Sequence, residues 1–465
     1  MKRYTLVLAC CLALVSTIAS AQEQELSVVA LSAIEVLDMQ TAQKLALQGN
    51  PDMVAAMARV EQAKHRVEQA VADWWPRVDL SAAGAHQRYS DNEDAYNQLL
   101  ASRLYGGSAD ADVEQFSLGL QATWTLFDGF YRSFNAKRAR YDQAGQQAAL
   151  INARRQLILS VAEAFLNAQL AQTHVDIAKA DKAFYTRQLE DVQNRYDVGA
   201  GAWGDVLNIK VQMNAAETNL MRSQREFEAA GYGLAALIGV KEATFPATMR
   251  LESLDRDFAI TGFAEDIEGL IDVALELRPD LQQLESGVQQ AEAGTGMAKV
   301  PFYPKVQLAG TVKGARQDDP GFEGDDFGST IAVNVVWNLF SGGRDQAKLA
   351  EAQQAKREAQ YRLANVRNLI AAEVRQNVAQ VKAAEEQVRL QRESVKLVEE
   401  NRELAKNEYE AGEASLLRLN EAQRDLTATH GRLAQSLALY HRAKERLDAA
   451  TGRNVERFTL DNEEQ

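Results

Sequence analysis

Apolar residues alternate with polar or small ones in four short stretches, each set between much longer segments of helical periodicity. Val78, Leu80 and Ala82 alternate with Asp79 and Ser81; after a polar interval, Phe116, Leu118, Leu120, Ala122, Trp124 and Leu126 follow at a spacing of two. Val306, Leu308, Gly310 and Val312, then Ile331, Val333, Val335, Trp337 and Leu339, repeat the pattern. A period of two puts one side-chain set on each face of a strand. The pattern predicts strands over 77–89, 113–127, 305–315 and 327–340. Two such runs joined by a polar hairpin are the signature of strands in a membrane barrel.

The segments between carry the helical period. A helix is predicted over 40–75, stopped by Pro76. A long helix follows over 128–196, then a break at Gly199-Ala200-Gly201 (tip 197–203), then a helix over 204–239. The second half predicts helices over 269–300, 342–409 and 416–451, with a tip at 410–415 containing Gly412. No proline lies between Pro76 and Pro246 or after Pro320, which favours long helices. Val374, Val381, Val388 and Val395 recur every seven residues, with Val378 one four-residue step on, a coiled-coil-like line. The long helix would measure roughly 100 Å, about the length of the two shorter ones end to end.

The order of elements repeats because the sequence does. Ala46, Leu47, Pro51, Asp52, Val60, Gln62, Pro76, Val78 and Leu80 each match a residue 228 positions later. Trp124, Leu126, Phe127, Gly129, Tyr196, Gly199 and Gly239 match residues 213 positions later. The 15-residue difference falls in the polar interval containing Ser90-Asp91-Asn92-Glu93-Asp94 and Gly106-Gly107-Ser108, which reads as a surface loop. The chain therefore divides into a first repeat (22–239), a linker (240–268), a second repeat (269–452) and an acidic C-terminal tail (453–465).

The N-terminus changes the picture of where this chain works. Lys2 and Arg3 precede an apolar run from about Tyr4 to Val15, and Ala19-Ser20-Ala21 supplies a cleavage site, so residues 1–21 read as a secretory signal peptide. The apolar run is too short for a transmembrane helix. Cys10 and Cys11 are the only cysteines. Lipidation at either is the rival to cleavage before Gln22. With cleavage, the mature chain carries 49 basic and 65 acidic residues, a net charge of −16, which argues against nucleic-acid partners.

Four strands cannot close a membrane barrel, and an open sheet edge in lipid strands backbone groups at several kcal/mol each. If the strands are membranous, two or more copies must assemble. Trp74, Trp75, Trp124, Phe127, Phe302, Tyr303, Trp337 and Phe340 gather where strands meet helices. Two readings fit them: an aromatic girdle at the membrane interface or packing at a sheet–helix junction.

The duplicated helix–hairpin–helix order, the Trp-x-Leu-Phe-x-Gly junctions at 124–129 and 337–342, and Tyr196-Asp197-Val198-Gly199 followed by Asp205-Val206-Leu207-Asn208 resemble the TolC-type outer-membrane efflux protein family. The likeness covers nearly all of the mature chain. It implies a mainly α fold with membrane β. Three protomers would form a 12-stranded β-barrel and a 12-helix periplasmic α-barrel in the outer membrane. It also implies docking onto a periplasmic adaptor and an inner-membrane pump of RND or ABC type. By resemblance, Gly199 and Gly412 lie at the periplasmic tip, and Asp205 and Tyr409 stand where the family holds its gate closed. Arg418 and Glu421 occupy the family's two acidic-ring positions, and Arg418 departs from that pattern. Arg418 then has three options: pairing with Glu421 on its own helix, pairing with Asp205 across hairpins, or simple solvation.

No catalytic constellation, cofactor motif or metal-ligand spacing is found. The five histidines, His65, His86, His174, His430 and His441, are scattered and lack spacings such as H-E-x-x-H. Asp318-Asp319 with Asp325-Asp326 lacks the spacing of a calcium loop and reads as a solvated hairpin. The expected function is a passive exit duct of a tripartite efflux pump or type I secretion system. The rival class is a periplasmic coiled-coil adaptor, which resembles this chain only in its helices. An enzyme stands a distant third.

Overall fold

A computed structural model describes residues 34–459, apart from 105, 107–111, 247–248, 261 and 264–265. The expected signal peptide and the last six residues of the expected tail lie outside the described residues. In chain order the elements are β1 (Val36–Leu37), α1 (Met39–Gly49), α2 (Pro51–Ala72), β2 (Arg77–Arg88), α3 (Asp91–Leu104), β3 (Asp112–Phe127), α4 (Tyr131–Asp197) and α5 (Trp203–Ile238). They continue with β4 (Arg250–Leu251), α6 (Ile267–Leu277), α7 (Pro279–Ala298), β5 (Lys305–Gln317), β6 (Phe327–Val336), α8 (Arg344–Glu410), α9 (Leu416–Thr451) and α10 (Arg453–Thr459). Among the described residues no helix is long and apolar enough to cross a membrane.

Several elements differ from the sequence expectation. The helix expected over 40–75 is two helices, because Asn50 is extended (φ −74°, ψ 122°) and Pro51 opens the next one. Proline disfavours helical geometry in the residue before it. The same happens at Arg278, before Pro279, so the helix expected over 269–300 is also divided. The polar interval read as a loop contains α3, a helix with no buried residue. The expected tail starts with α10, and the linker contributes β4, which pairs in parallel with β1. The last strand stops at Val336, short of the expected 340.

Two compact units divide the chain. One holds residues up to Val54, Arg154–Ile267 and Val374 onward; the other holds Ala55–Ala153 and Glu268–Glu373. In the first unit, Leu37, Ala42, Ala46, Val161, Phe165, Leu234, Ile238 and Leu251 form an apolar core. Val374, Val378, Val381 and Val388 of the seven-residue line are all buried.

The second unit carries an antiparallel sheet in the order β2-β3-β5-β6. Its register aligns Leu80 with Leu120 and Val312, and Trp124 with Leu308 and Val333. Cross-strand partners share a face, so these side chains form one apolar surface, with Leu80 73% and Ile331 83% exposed. The opposite face aligns Asp79, Gln121, Thr311 and Thr330. Among the described residues, both outer strands, β2 and β6, leave one edge unpaired.

Candidate functional site

Two regions hold the residues singled out above. The first is the pair of turns closing the helical hairpins α4–α5 and α8–α9. Each turn is built alike, 213 residues apart. Gly199 (φ 78°) donates its N–H to the Tyr196 carbonyl at 2.9 Å, and Gly412 (φ 80°) to that of Tyr409 at 3.1 Å. Ala200 and Glu413 then reach back to the carbonyls of Arg195 and Glu408, both at 2.8 Å. A left-handed residue that ends a helix this way favours glycine.

The contacts joining the two hairpins bring in residues not singled out above. Arg195 lies over the Tyr409 ring, 4.9 Å from its centroid, and Arg402 over the Phe184 ring at 5.5 Å. The Oδ1 of Asp181 accepts from Gln423 Nε2 at 3.1 Å and Thr427 Oγ1 at 2.9 Å. Burial pushes the Tyr409 hydroxyl up; Asp205 and Asp191 push the same way and Arg195 opposes them. Asp205 and Tyr409 are thus electrostatic neighbours, but no hydrogen bond joins them among the described residues. Arg418 takes neither expected partner: its guanidinium donates to Asn401 Oδ1 at 2.7 Å. Glu421 and Asn208 are exposed, and Tyr196 packs on Trp203 at 5.1 Å. Beneath the turns, Phe184, Tyr185, Val192, Val206, Ile209, Leu416 and Leu419 are buried together. Burial there pushes the Tyr185 hydroxyl up to about 12.

The second region is the strand–helix junction. Trp124 donates its indole N–H to the Trp74 carbonyl at 3.0 Å, and Trp337 does the same to Phe302 at 3.2 Å. Arg132, 5% exposed, lies 4.5 Å from the Trp74 ring and pairs with Asp128 at 2.8 Å. Phe127, Phe130 and Tyr303 form an edge-to-face chain at 5.4 and 5.8 Å. All eight junction aromatics named above come from the segments at or next to the strand ends, and Trp75 and Phe340 are 75% and 86% exposed.

Neither region has the makings of a metal centre, and among the described residues no three His, Cys, Asp or Glu side chains converge to hold an ion. In the acidic hairpin, Arg316 sits among Asp319 (3.6 Å), Glu323 (3.7 Å) and Asp326 (3.5 Å), an internal cation among those carboxylates.

The chain is duplicated, with a pair of long helices in each half and a four-stranded sheet whose apolar face is exposed. The profile of the family described as "Outer membrane efflux protein" matches residues 42–240 and 270–453. The chain belongs to that family, whose members are channel proteins of the outer membrane. It is 24% identical to the cation efflux system protein CusC of Escherichia coli O157:H7 over 83% of this chain and 79% of that protein. It is 26% identical to the protein CyaE of Bordetella pertussis over 93% of this chain and 86% of that one. Among solved structures, a CusC crystal structure superposes with a TM-score of 0.73 at 20% identity, covering 93% of this chain and 95% of that one. The open-state MtrE channel of Neisseria gonorrhoeae superposes at 0.72 and 19% identity, covering 93% and 94%.

Proposed function

We propose that three copies of this chain form a 12-stranded barrel in the outer membrane and a 12-helix tunnel in the periplasm. The assembly is the exit duct of a tripartite efflux pump or type I secretion system. The observation that carries this reading is the sheet with two unpaired edges and one exposed apolar face. Alone in lipid, each edge leaves backbone groups unsatisfied at several kcal/mol apiece. Twelve strands from three copies remove every edge. The junction aromatics sit at the membrane interface in this reading. The hairpin turns around Gly199 and Gly412 form the periplasmic gate, engaged by an adaptor and an inner-membrane pump. Relatives named for cation efflux, pyoverdine export and alkaline protease secretion support a transport role and leave the cargo open.

The test is electrophoresis of detergent-extracted protein with and without heating, together with conductance in planar bilayers. A heat-modifiable trimer with discrete single-channel steps is expected. A monomer that stays soluble without detergent and conducts nothing would overturn the reading.

A further inference from the structure

Within one chain, α4 of the first hairpin and α9 of the second meet along an antiparallel line of contacts. As the α4 position rises, the α9 position falls. Arg155 donates to the Ala449 carbonyl at 2.7 Å, Arg446 pairs with Glu163 at 2.6 Å, and Asp181 accepts from Thr427 at 2.9 Å and Gln423 at 3.1 Å. Nearer the hairpin turns the same two faces continue. Asp181, Tyr185 and Gln188 recur at steps of four and three on α4, and Asn420, Gln423 and Thr427 at steps of three and four on α9. Such steps keep each set on one helix face. The antiparallel order therefore brings Asn420 level with Tyr185 and Gln188, one turn nearer the hairpin ends than the Asp181 contact.

This second rung is polar and buried, and no direct bond closes it. Tyr185 is 2% exposed and Asn420 4%. Among the described residues, neither amide atom of Asn420 has a hydrogen-bond partner, nor has the Tyr185 hydroxyl or the Gln188 Oε1. The cluster to which Tyr185 belongs is otherwise apolar: Phe184, Val192, Val206, Ile209, Leu416 and Leu419. Leaving such polar groups dry costs more than an ordinary hydrogen bond gains. The pair is not inherited from the duplication, because the equivalents of Tyr185 and Asn420, 213 residues away, are Val398 and Leu207.

We propose that this rung binds water, bridging Tyr185, Gln188 and Asn420, and that the wet rung is the line along which the two helical hairpins part. A buried water makes about three hydrogen bonds. The Asn420 Nδ2, the two amide oxygens and the Tyr185 hydroxyl supply donors and acceptors for it. A contact closed through water holds its helices less firmly than a direct one, because each water is immobilised there and regains its freedom when the helices separate. The Asp181 rung ties α4 to α9, and the rung beside it is where separation starts. The consequence for opening rests on the reading of the hairpin turns as the gate.

Hydrogen exchange of the α4 amides around Tyr185 and the α9 amides around Asn420, in the detergent-extracted protein, tests this. N420L supplies the residue of the other half and excludes the water, and is expected to slow exchange about tenfold. N420A leaves room for a further water and is expected to stay within about twofold of wild type. D181A removes the direct rung and is expected to quicken exchange about tenfold. A map that resolves ordered solvent is expected to place water within hydrogen-bond reach of Asn420 and Tyr185. N420A exchanging as fast as D181A, N420L no slower than wild type, or a direct bond between Asn420 and Tyr185 would overturn the wet rung. Slower exchange in N420L with rarer single-channel opening would support the rung and the gate together. Slower exchange with opening as frequent as in wild type would leave the rung standing and overturn the gate reading.

Discussion

Arg195 lies face-on over the ring of Tyr409, with its guanidinium carbon 4.9 Å from the centroid. The contact ties the end of α4 to the end of α8: Arg195 is next to Tyr196, whose carbonyl accepts from Gly199, and Tyr409 itself accepts from Gly412. A cation–π contact at a partly exposed site is worth about 0.5 to 1 kcal/mol, enough to bias a gate without locking it. On the proposed reading of these turns as the gate, with this contact holding it closed, Arg195→Ala and Tyr409→Ala are each expected to raise single-channel conductance or open probability. Tyr409→Phe keeps the ring and is expected to behave as wild type, because no hydrogen bond from the Tyr409 hydroxyl is found among the described residues. An open-channel phenotype for Tyr409→Phe would shift the holding role to the hydroxyl and to Asp205.

Gly239 ends α5 with φ 88°, and a Cβ there would sit 2.1 Å from the Gly49 carbonyl oxygen at the end of α1. Gly412 has nearly the same backbone conformation, φ 80°, with no atom within 4 Å of a Cβ. The left-handed conformation alone costs an alanine about 1 to 2 kcal/mol. Forcing two backbones apart adds about 1 to 3 kcal/mol. Gly412→Ala is therefore expected to fold with a small loss of thermal stability, and Gly239→Ala to lose markedly more or to fail to accumulate. Equal losses in the two variants would mean that α1 yields at no cost.

The strand pairs were legible because alternation survives in all four, and the repeat was legible because tryptophan, proline and glycine landmarks recur at fixed offsets. The break at Asn50 was not, since the apolar period runs on past Pro51, which as the first residue of a helix costs nothing. The helix Asp91–Leu104 buries no residue and so leaves no hydrophobic period to find. Between the two helical hairpins, Asp181, Arg195, Gln423 and Thr427 escaped notice for a different reason. Their equivalents are Ser394, Glu408, Lys210 and Asn214, so matching the halves passes over them. The contacts inside the chain use residues that the repeat does not share, and only packing reveals them.

Trp124 and Trp337 make the same hydrogen bond in the two halves, from the indole nitrogen to a carbonyl three residues before the first strand of each pair. Only the first copy adds Arg132 against the ring of Trp74. Trp→Phe at either position keeps the aromatic bulk and removes the donor, at a cost of about 0.5 to 1.5 kcal/mol. In the proposed trimer, both variants are expected to lower the temperature at which the assembly dissociates on electrophoresis. Arg132→Ala is expected to cost more than either, because it leaves the half-buried Asp128 carboxylate without its charged partner, with only the backbone N–H of residue 132 still donating to it. A variant of Arg132 as heat-resistant as wild type would show that water replaces the guanidinium.

Glu445 is buried on α9, with its Oε1 3.2 Å from Arg457 of α10 and its Oε2 without a hydrogen-bond partner among the described residues. Burial holds its carboxyl above the ordinary value, and the nearby Arg457 only partly offsets it. A carboxyl raised in the folded chain binds its proton more tightly folded than unfolded. Its contribution to stability is therefore present in full below the unfolded-state value and is lost as the pH rises through the folded one. Glu445→Gln keeps an oxygen for Arg457, which retains Asp448 as its charged partner, and removes the buried charge. The variant is expected to raise the thermal midpoint at about pH 7 to 8 and to make little difference near about pH 4, where the native carboxyl is protonated. Thermal unfolding of both proteins across that range is the measurement. A variant less stable than wild type at neutral pH would mean that the ion pair with Arg457 outweighs the burial of Glu445.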